Sequence, residues 1–256
     1  MSPEQEEVKE NERNFKLGIM GCMASGKSTL ADICGNRWDN SEIIRERYKI
    51  NPYLEKFYKD QKRFSFHSQI WFILDNMDQA SVSKPTTSLI YDPPLDMHKI
   101  YATTHHQMGW MNDEEWEIYN TIYDTLKETK KIQDPDLIII TKTPVNILLE
   151  RIKKRGRLFE ADIEEKYINL LSQNVNDWQD EKKESIPVME IDTSYYDYTS
   201  NDGMNNVGGW VDGRVALLVS ENFKNDREYG CKVRIPDFKY KPPCITDSVS
   251  GLYLHR

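Results

Sequence analysis

The chain has 256 residues, a formal net charge of -8 and a pI near 5.3, enough for one full α/β domain with a small appendage. The acidity disfavours an extended nucleic-acid footprint and points to a small-molecule partner. Cys22, Cys34, Cys231 and Cys244 form no C-x-x-C pair, the N-terminal stretch is acidic, and no apolar run has membrane-spanning length; together these predict a cytoplasmic protein with no membrane contact.

Residues 1–13 are charged and aperiodic and read as a mobile acidic tail. The first strand is the apolar run from Phe15 to Met20. It meets Gly21, and Gly26-Lys27-Ser28 follow after four residues, the G-x-x-x-x-G-K-S/T spacing of a phosphate-binding loop. Clustered phosphate charge needs several backbone N–H groups at close range, which glycines allow, and the N-terminus of the next helix adds partial positive charge. The nucleotide would therefore rest on Gly21, Ala24, Ser25, Gly26, Lys27, Ser28 and Thr29. Lys27 would reach the β/γ-phosphates and the Ser28 hydroxyl would ligate Mg²⁺. The side chains of Met23, Ala24 and Ser25 show no role of their own.

A helix is predicted from Thr29 to Trp38, ending near Gly35 or Asn36, and a strand from Ser41 that delivers Glu46 at its C-terminal end, where open α/β sheets bind ligands. Asn51-Pro52 opens a long aromatic-rich helical stretch, which Lys84-Pro85 breaks. Ser88 to Tyr91 is a buried strand ending in Asp92, well placed for a second Mg²⁺ ligand. An amphipathic helix follows from Glu114 to Lys130, then a strand from Asp136 to Ile140, and Thr143-Pro144 starts a helix over Val145 to Arg155. That helix ends in RIKKRGRLFE. Its density of Arg151, Lys153, Lys154, Arg155 and Arg157 exceeds the chain average, as a lid closing over phosphates would require. His67, His105 and His106 lack metal-ligand spacing. From Tyr195 the chain turns Gly/Asn/Asp-rich, and VALLV and CKVRI look like short β pieces, so residues 196–256 are expected to form an extension, with a small β appendage as one form.

GCMASGKSTL, NPYLEKFYKDQKRFSFHSQIWF, the strand ending in Asp92 and ERIKKRGRLFE occur in the order seen in deoxynucleoside kinases, and residues 14–195 resemble that family. The second stretch is the most specific, since members carry NPYL, then FY, then K-R-aromatic and a Gln on one helix. The resemblance implies a three-layer α/β/α P-loop kinase fold with a parallel sheet and an arginine-rich lid. It implies a homodimer, and transfer of the γ-phosphate of ATP to the 5′-hydroxyl of a deoxynucleoside, with a weak preference for a purine. By matching position, Glu46 takes the hydroxyl proton, Tyr58 and Glu160 hold the sugar 3′-hydroxyl, Gln69 reads the base, and Arg151, Arg155 and Arg157 are lid arginines. Phe64 could line the base pocket or the core, and His98, with Asp96 nearby, stands where members often have a base-reading Asp.

The family's D/E-R-S motif is here Asp92-Pro93-Pro94, so its arginine is missing and proline supplies neither charge nor donors. A modified nucleoside or a nucleoside monophosphate as acceptor, a replacement cation from Lys99, Arg45 or Arg47, and a non-catalytic nucleotide-binding assembly subunit are the alternatives this opens.

Overall fold

The computed structural model describes residues 12–82, 87–128, 134–194, 200–225, 232–234 and 237–238. In chain order the elements are β1 (Glu12–Asn14), β2 (Lys16–Gly21), α1 (Lys27–Arg37), β3 (Trp38–Asp39), β4 (Ser41–Arg45), α2 (Leu54–Lys59), α3 (Gln61–Val82) and β5 (Ser88–Asp92). They continue as α4 (Leu95–Gln107), α5 (Asp113–Glu128), β6 (Leu137–Lys142), α6 (Val145–Arg155), α7 (Glu165–Lys182), β7 (Val188–Asp192), α8 (Asn201–Asn225), β8 (Lys232–Arg234) and β9 (Asp237–Phe238).

Five parallel strands in the order β4-β5-β2-β6-β7 form the central sheet. Its strands are apolar on both faces, as sheets covered by helices on both sides must be. Alternation survives inside those runs. Leu17, Ile19, Leu137, Ile139 and Ile191 face α1 and α8, while Met20, Ile138 and Ile140 face α4, α6 and α7. Near the β4 edge, Ile44, Leu89 and Tyr91 pack under α3, α4 and α5. The result is the three-layer α/β/α fold expected.

The local differences have physical causes. The long helix from Asn51 divides at Asp60, whose carboxylate accepts the Arg63 N–H at 3.2 Å and so starts α3 as an N-cap does. VALLV lies inside α8 and is not a strand. Val207, Val211, Val215 and Leu218 recur at helical spacing and are buried in the same core as the sheet, and the Ser200 hydroxyl accepts the Gly203 N–H at 3.1 Å where the helix starts. α8 thus shares the main core through these four side chains. Of CKVRI, Lys232–Arg234 is the strand β8, and it pairs in parallel with β1, so residues 12 and 13 are held in a strand. The rest of the acidic tail, the break at Lys84-Pro85 and the stretch from Tyr195 to 199 lie outside the described residues. Among the described residues, no helix is long and apolar enough to cross a membrane.

Candidate active site

The C-terminal ends of β2, β4, β5 and β6 meet the N-terminus of α1, and a cavity of about 530 Å³ opens there. The loop from Gly21 to Ser28 forms one wall. Gly21 sits at φ 138°, and a Cβ on it would stand 2.3 Å from the Thr141 Oγ1 and 2.6 Å from the Thr141 carbonyl, so only glycine fits. Gly26, at φ 97°, turns the chain into α1. Ser25 does have a role: its buried Oγ lies 2.5 Å from Thr141 Oγ1 and ties the loop to β6. Lys27 donates through Nζ to the carbonyls of Gly21 and Cys22, at 3.0 and 2.9 Å. Burial lowers its pKa, while Asp92 and Glu46 oppose that shift.

The carboxylates come from adjacent strands. Arg45 on β4 is in register with Asp92 on β5, and the Glu46 N–H donates to the Asp92 carbonyl at 2.9 Å. Burial raises the pKa of Asp92, opposed by Lys27 and by a hydrogen bond from Ser28. Two neighbouring hard oxygen donors, the Ser28 hydroxyl and the Asp92 carboxylate, suit Mg²⁺. Burial also pushes the Glu46 carboxyl up to about 7, against the pull of Lys27. A carboxyl near neutrality can accept a proton and release it again.

The arginines of the basic run at the end of α6 reach the cavity, while Lys153 and Lys154 are exposed. Gly156, at φ 69°, ends the helix, and Arg155 and Arg157 both donate to Glu160, at 2.6 and 3.1 Å. Glu160 is only 3% exposed yet paired twice, which a buried carboxylate requires. The Arg157 guanidinium stacks on Tyr48 at 3.7 Å. Arg151, also in the wall, is anchored by donating to the Thr193 hydroxyl and carbonyl, at 2.9 and 2.7 Å.

Away from the loop the cavity is aromatic. Tyr58, Phe57, Phe72, Tyr101 and Tyr167 line it, and burial with the nearby Glu160 keeps the Tyr58 hydroxyl protonated. Gln69 lines it too, 4% exposed, and its Oε1 has no hydrogen-bond partner within the protein. Two expected substrate contacts lie elsewhere. Phe64 is outside the cavity, beside Lys56, Arg63 and His67, because the turn at Asp60 rotates the start of α3 outward. His98 stands behind Phe72, stacked on its ring at 5.9 Å, and burial drives its pKa down to about 3. Asp96 faces Tyr123 and Lys127 instead.

Of the cations considered as replacements for the missing arginine, only Arg45 lines the cavity, with a guanidinium nitrogen 3.9 Å from Asp92. Arg47 pairs with Asp75, and Lys99 lies over the Trp116 and Tyr123 rings. His105, read as surface or core, is in the wall: it stacks on Phe57 at 4.5 Å and bonds Ser65 and Tyr167 through its two ring nitrogens. No sequence spacing signals His105, Tyr101 or Tyr167, which reach the cavity from α4 and α7 only in the folded chain.

A strand, phosphate loop and helix leading to a cavity lined by Ser28, Asp92 and three arginines have the arrangement of a P-loop phosphotransferase. The chain belongs to the deoxynucleoside kinase family, whose model, described as "Deoxynucleoside kinase", matches residues 17–207. It is 26% identical over 214 residues to the deoxyadenosine/deoxycytidine kinase of Bacillus subtilis, covering 83% of this chain and 96% of that protein. It is 31% identical over 187 residues to a probable deoxycytidine kinase of fowlpox virus, covering 70% and 79%. The structure of deoxyadenosine kinase from M. mycoides with bound dATP superposes with a TM-score of 0.63 at 27% identity, covering 75% of this chain and 98% of that one. The protein is therefore an enzyme that phosphorylates a nucleoside.

Proposed function

We propose that the enzyme transfers the γ-phosphate of ATP to the 5′-hydroxyl of a deoxynucleoside, with a weak preference for a purine. One observation carries this reading: Glu46, Lys27, Asp92, Arg155 and Arg157 converge on a single cavity whose far end is aromatic and holds an unpartnered amide oxygen on Gln69. The phosphates lie on the Gly21–Ser28 loop, within reach of Lys27. Ser28 and Asp92 would hold Mg²⁺, which would supply positive charge against the phosphates. Glu46 accepts the proton that the 5′-hydroxyl loses as its oxygen bonds the γ-phosphorus and the bond from that phosphorus to the β–γ bridging oxygen breaks, releasing ADP, and Arg151, Arg155 and Arg157 stabilise the transferring group. Tyr58 and Glu160 hold the sugar, and the Gln69 amide accepts from the base's exocyclic amine while donating to the adjacent ring nitrogen. Arg45 supplies, from the neighbouring strand, the cation that Pro93 cannot. Adenine offers that amine and ring-nitrogen edge, and the M. mycoides relative binds dATP. Among the described cysteines, Cys22 and Cys34 are buried free thiols, which suits a reducing cytoplasm.

The test offers purified protein, ATP and Mg²⁺ to the four deoxynucleosides, their ribose forms, the monophosphates and modified nucleosides. Deoxyadenosine is the expected acceptor. Transfer to monophosphates alone would move the acceptor, and ATP binding without any transfer would favour the assembly-subunit reading. Light scattering checks the homodimer, which doubles the 30.2 kDa chain mass.

A further inference from the structure

β4 is an edge strand of the sheet, so its main-chain groups alternate between β5 and the outside. Glu46 turns inward, donating to the Asp92 carbonyl at 2.9 Å. Arg45 turns outward, and among the described residues no strand on that side receives its N–H and C=O. An unpaired main-chain pair at an edge lets a strand end shift or fray.

Gln79, on α3, takes the place of that strand. Its Oε1 accepts the Arg45 N–H at 3.3 Å and its Nε2 donates to the Arg45 carbonyl at 2.8 Å. The same Nε2 donates to Asp75 Oδ2 at 2.9 Å, one helical turn back. Asp75 is 8% exposed, and its other oxygen accepts from Nε of Arg47 at 2.7 Å and from the Arg47 Nη2. The amide orientation of Gln79 is thereby fixed by its partners, since only this one satisfies both Arg45 and Asp75. The residues before and after Glu46 are thus both tied to adjacent turns of one helix, and Glu46 itself is tied to β5. Of Gln79, Asp75, Arg47 and Arg45, Arg45 alone borders the cavity.

We infer that Gln79, with Asp75 and Arg47, forms a clamp that positions Glu46 for proton transfer. Gln79 replaces the missing neighbour strand, and the Asp75–Arg47 pair prevents the chain from rotating as it leaves the sheet. The inference rests on the kinase reading for its catalytic consequence, but the clamp on the strand end stands independently of that reading. A displacement of about 1 Å in a reacting group can cost on the order of a hundredfold in rate, so holding the strand end matters more than its small hydrogen-bond energy suggests.

The test compares wild type with Gln79→Leu, which keeps the size of the side chain and removes its bonds to Arg45 and Asp75, and with Arg47→Met, a change at a half-exposed position. Two readouts are taken: kcat and KM for ATP with the accepted nucleoside, and amide hydrogen exchange at Arg45 and Glu46. For Gln79→Leu we expect kcat to fall about ten- to hundredfold with KM for ATP within about twofold, and exchange at both amides to accelerate at least about tenfold while β2 and β6 stay protected. Arg47→Met should move both readouts the same way by less, and it decides the matter if Gln79→Leu does not fold. Unchanged exchange with kcat within about twofold would overturn the clamp. So would protection lost throughout the sheet together with a raised KM for ATP, which marks a general structural effect. If wild type turned over no nucleoside, the kinase reading would fail, while exchange at Arg45 and Glu46 would still uphold or overturn the clamp.

Discussion

Glu46 carries two demands that conflict. The proposed proton transfer needs an ionised carboxylate in the cavity, and folding resists placing one there, so burial raises its pKa to about 7. The groups facing it are Lys27, Arg157 and Arg155, which favour the charged form, and Asp92, which opposes it. His105, in the same wall, is pushed down to about 3 and stays neutral, so it adds no titration between pH 5 and 8. We predict that kcat/KM falls about tenfold per unit as pH drops below about 7, measured from pH 5 to 8. Glu46→Gln should remove that limb and lower kcat by on the order of a hundredfold or more, with ATP affinity within about twofold. Stability should move the other way. Because the folded pKa lies above the unfolded one, the folded state holds the extra proton between pH about 4.5 and 7, and wild-type stability falls as pH rises through that window. Melting curves at pH 5 and 8 should therefore show a larger loss for wild type than for Glu46→Gln.

Among the elements, α8 shows what composition conceals. Its run of Asn, Asp and Gly reads as a loop, because glycine lowers helix propensity and Asn and Asp favour turns. The helix forms because Val207, Val211, Val215 and Leu218 fall on one stripe that the sheet can bury. Gly208 is used for close approach: a Cβ there would stand 2.3 Å from the Arg37 Cδ. Beside it, Asp212 accepts from Arg37 Nε at 2.8 Å and from the Trp38 indole at 2.8 Å, joining α8 to α1 and β3. The Arg37 and Asp212 side chains are 8% and 0% exposed, so removing the carboxylate takes the ion-pair partner from a buried guanidinium. Asp212→Ala should cost about 3–5 kcal/mol, read as a lower urea midpoint with unchanged slope. No local sequence signal marks this pair, which lies 175 residues apart. By contrast, β2, the phosphate loop and Asp92 were legible, since their chemistry is written in contiguous residues.

At the scale of the molecule, the same division holds between what spacing encodes and what only packing creates. The parallel strands announced themselves as apolar runs, but β7 and helices α4 and α7 did not, and with them went Tyr101, His105 and Tyr167 of the cavity wall. The same core bears on how far the catalytic domain extends. The sheet has two apolar faces, and α1 alone does not cover the one formed by Leu17, Ile19, Leu137, Ile139 and Ile191; α8 completes it. Four aliphatic side chains of α8 are buried there, each worth about 1.5–3 kcal/mol, or roughly 6–12 kcal/mol together. That is comparable to the whole stability of an ordinary domain, about 5–15 kcal/mol. A chain ending at residue 200 keeps the phosphate loop, both carboxylates and the lid arginines, and still should not fold. We expect it to lose the cooperative thermal transition of the full chain and to bind a dye that reports exposed apolar surface. If it instead melted cooperatively and bound ATP as the full chain does, α8 would be the appendage that its sequence suggests.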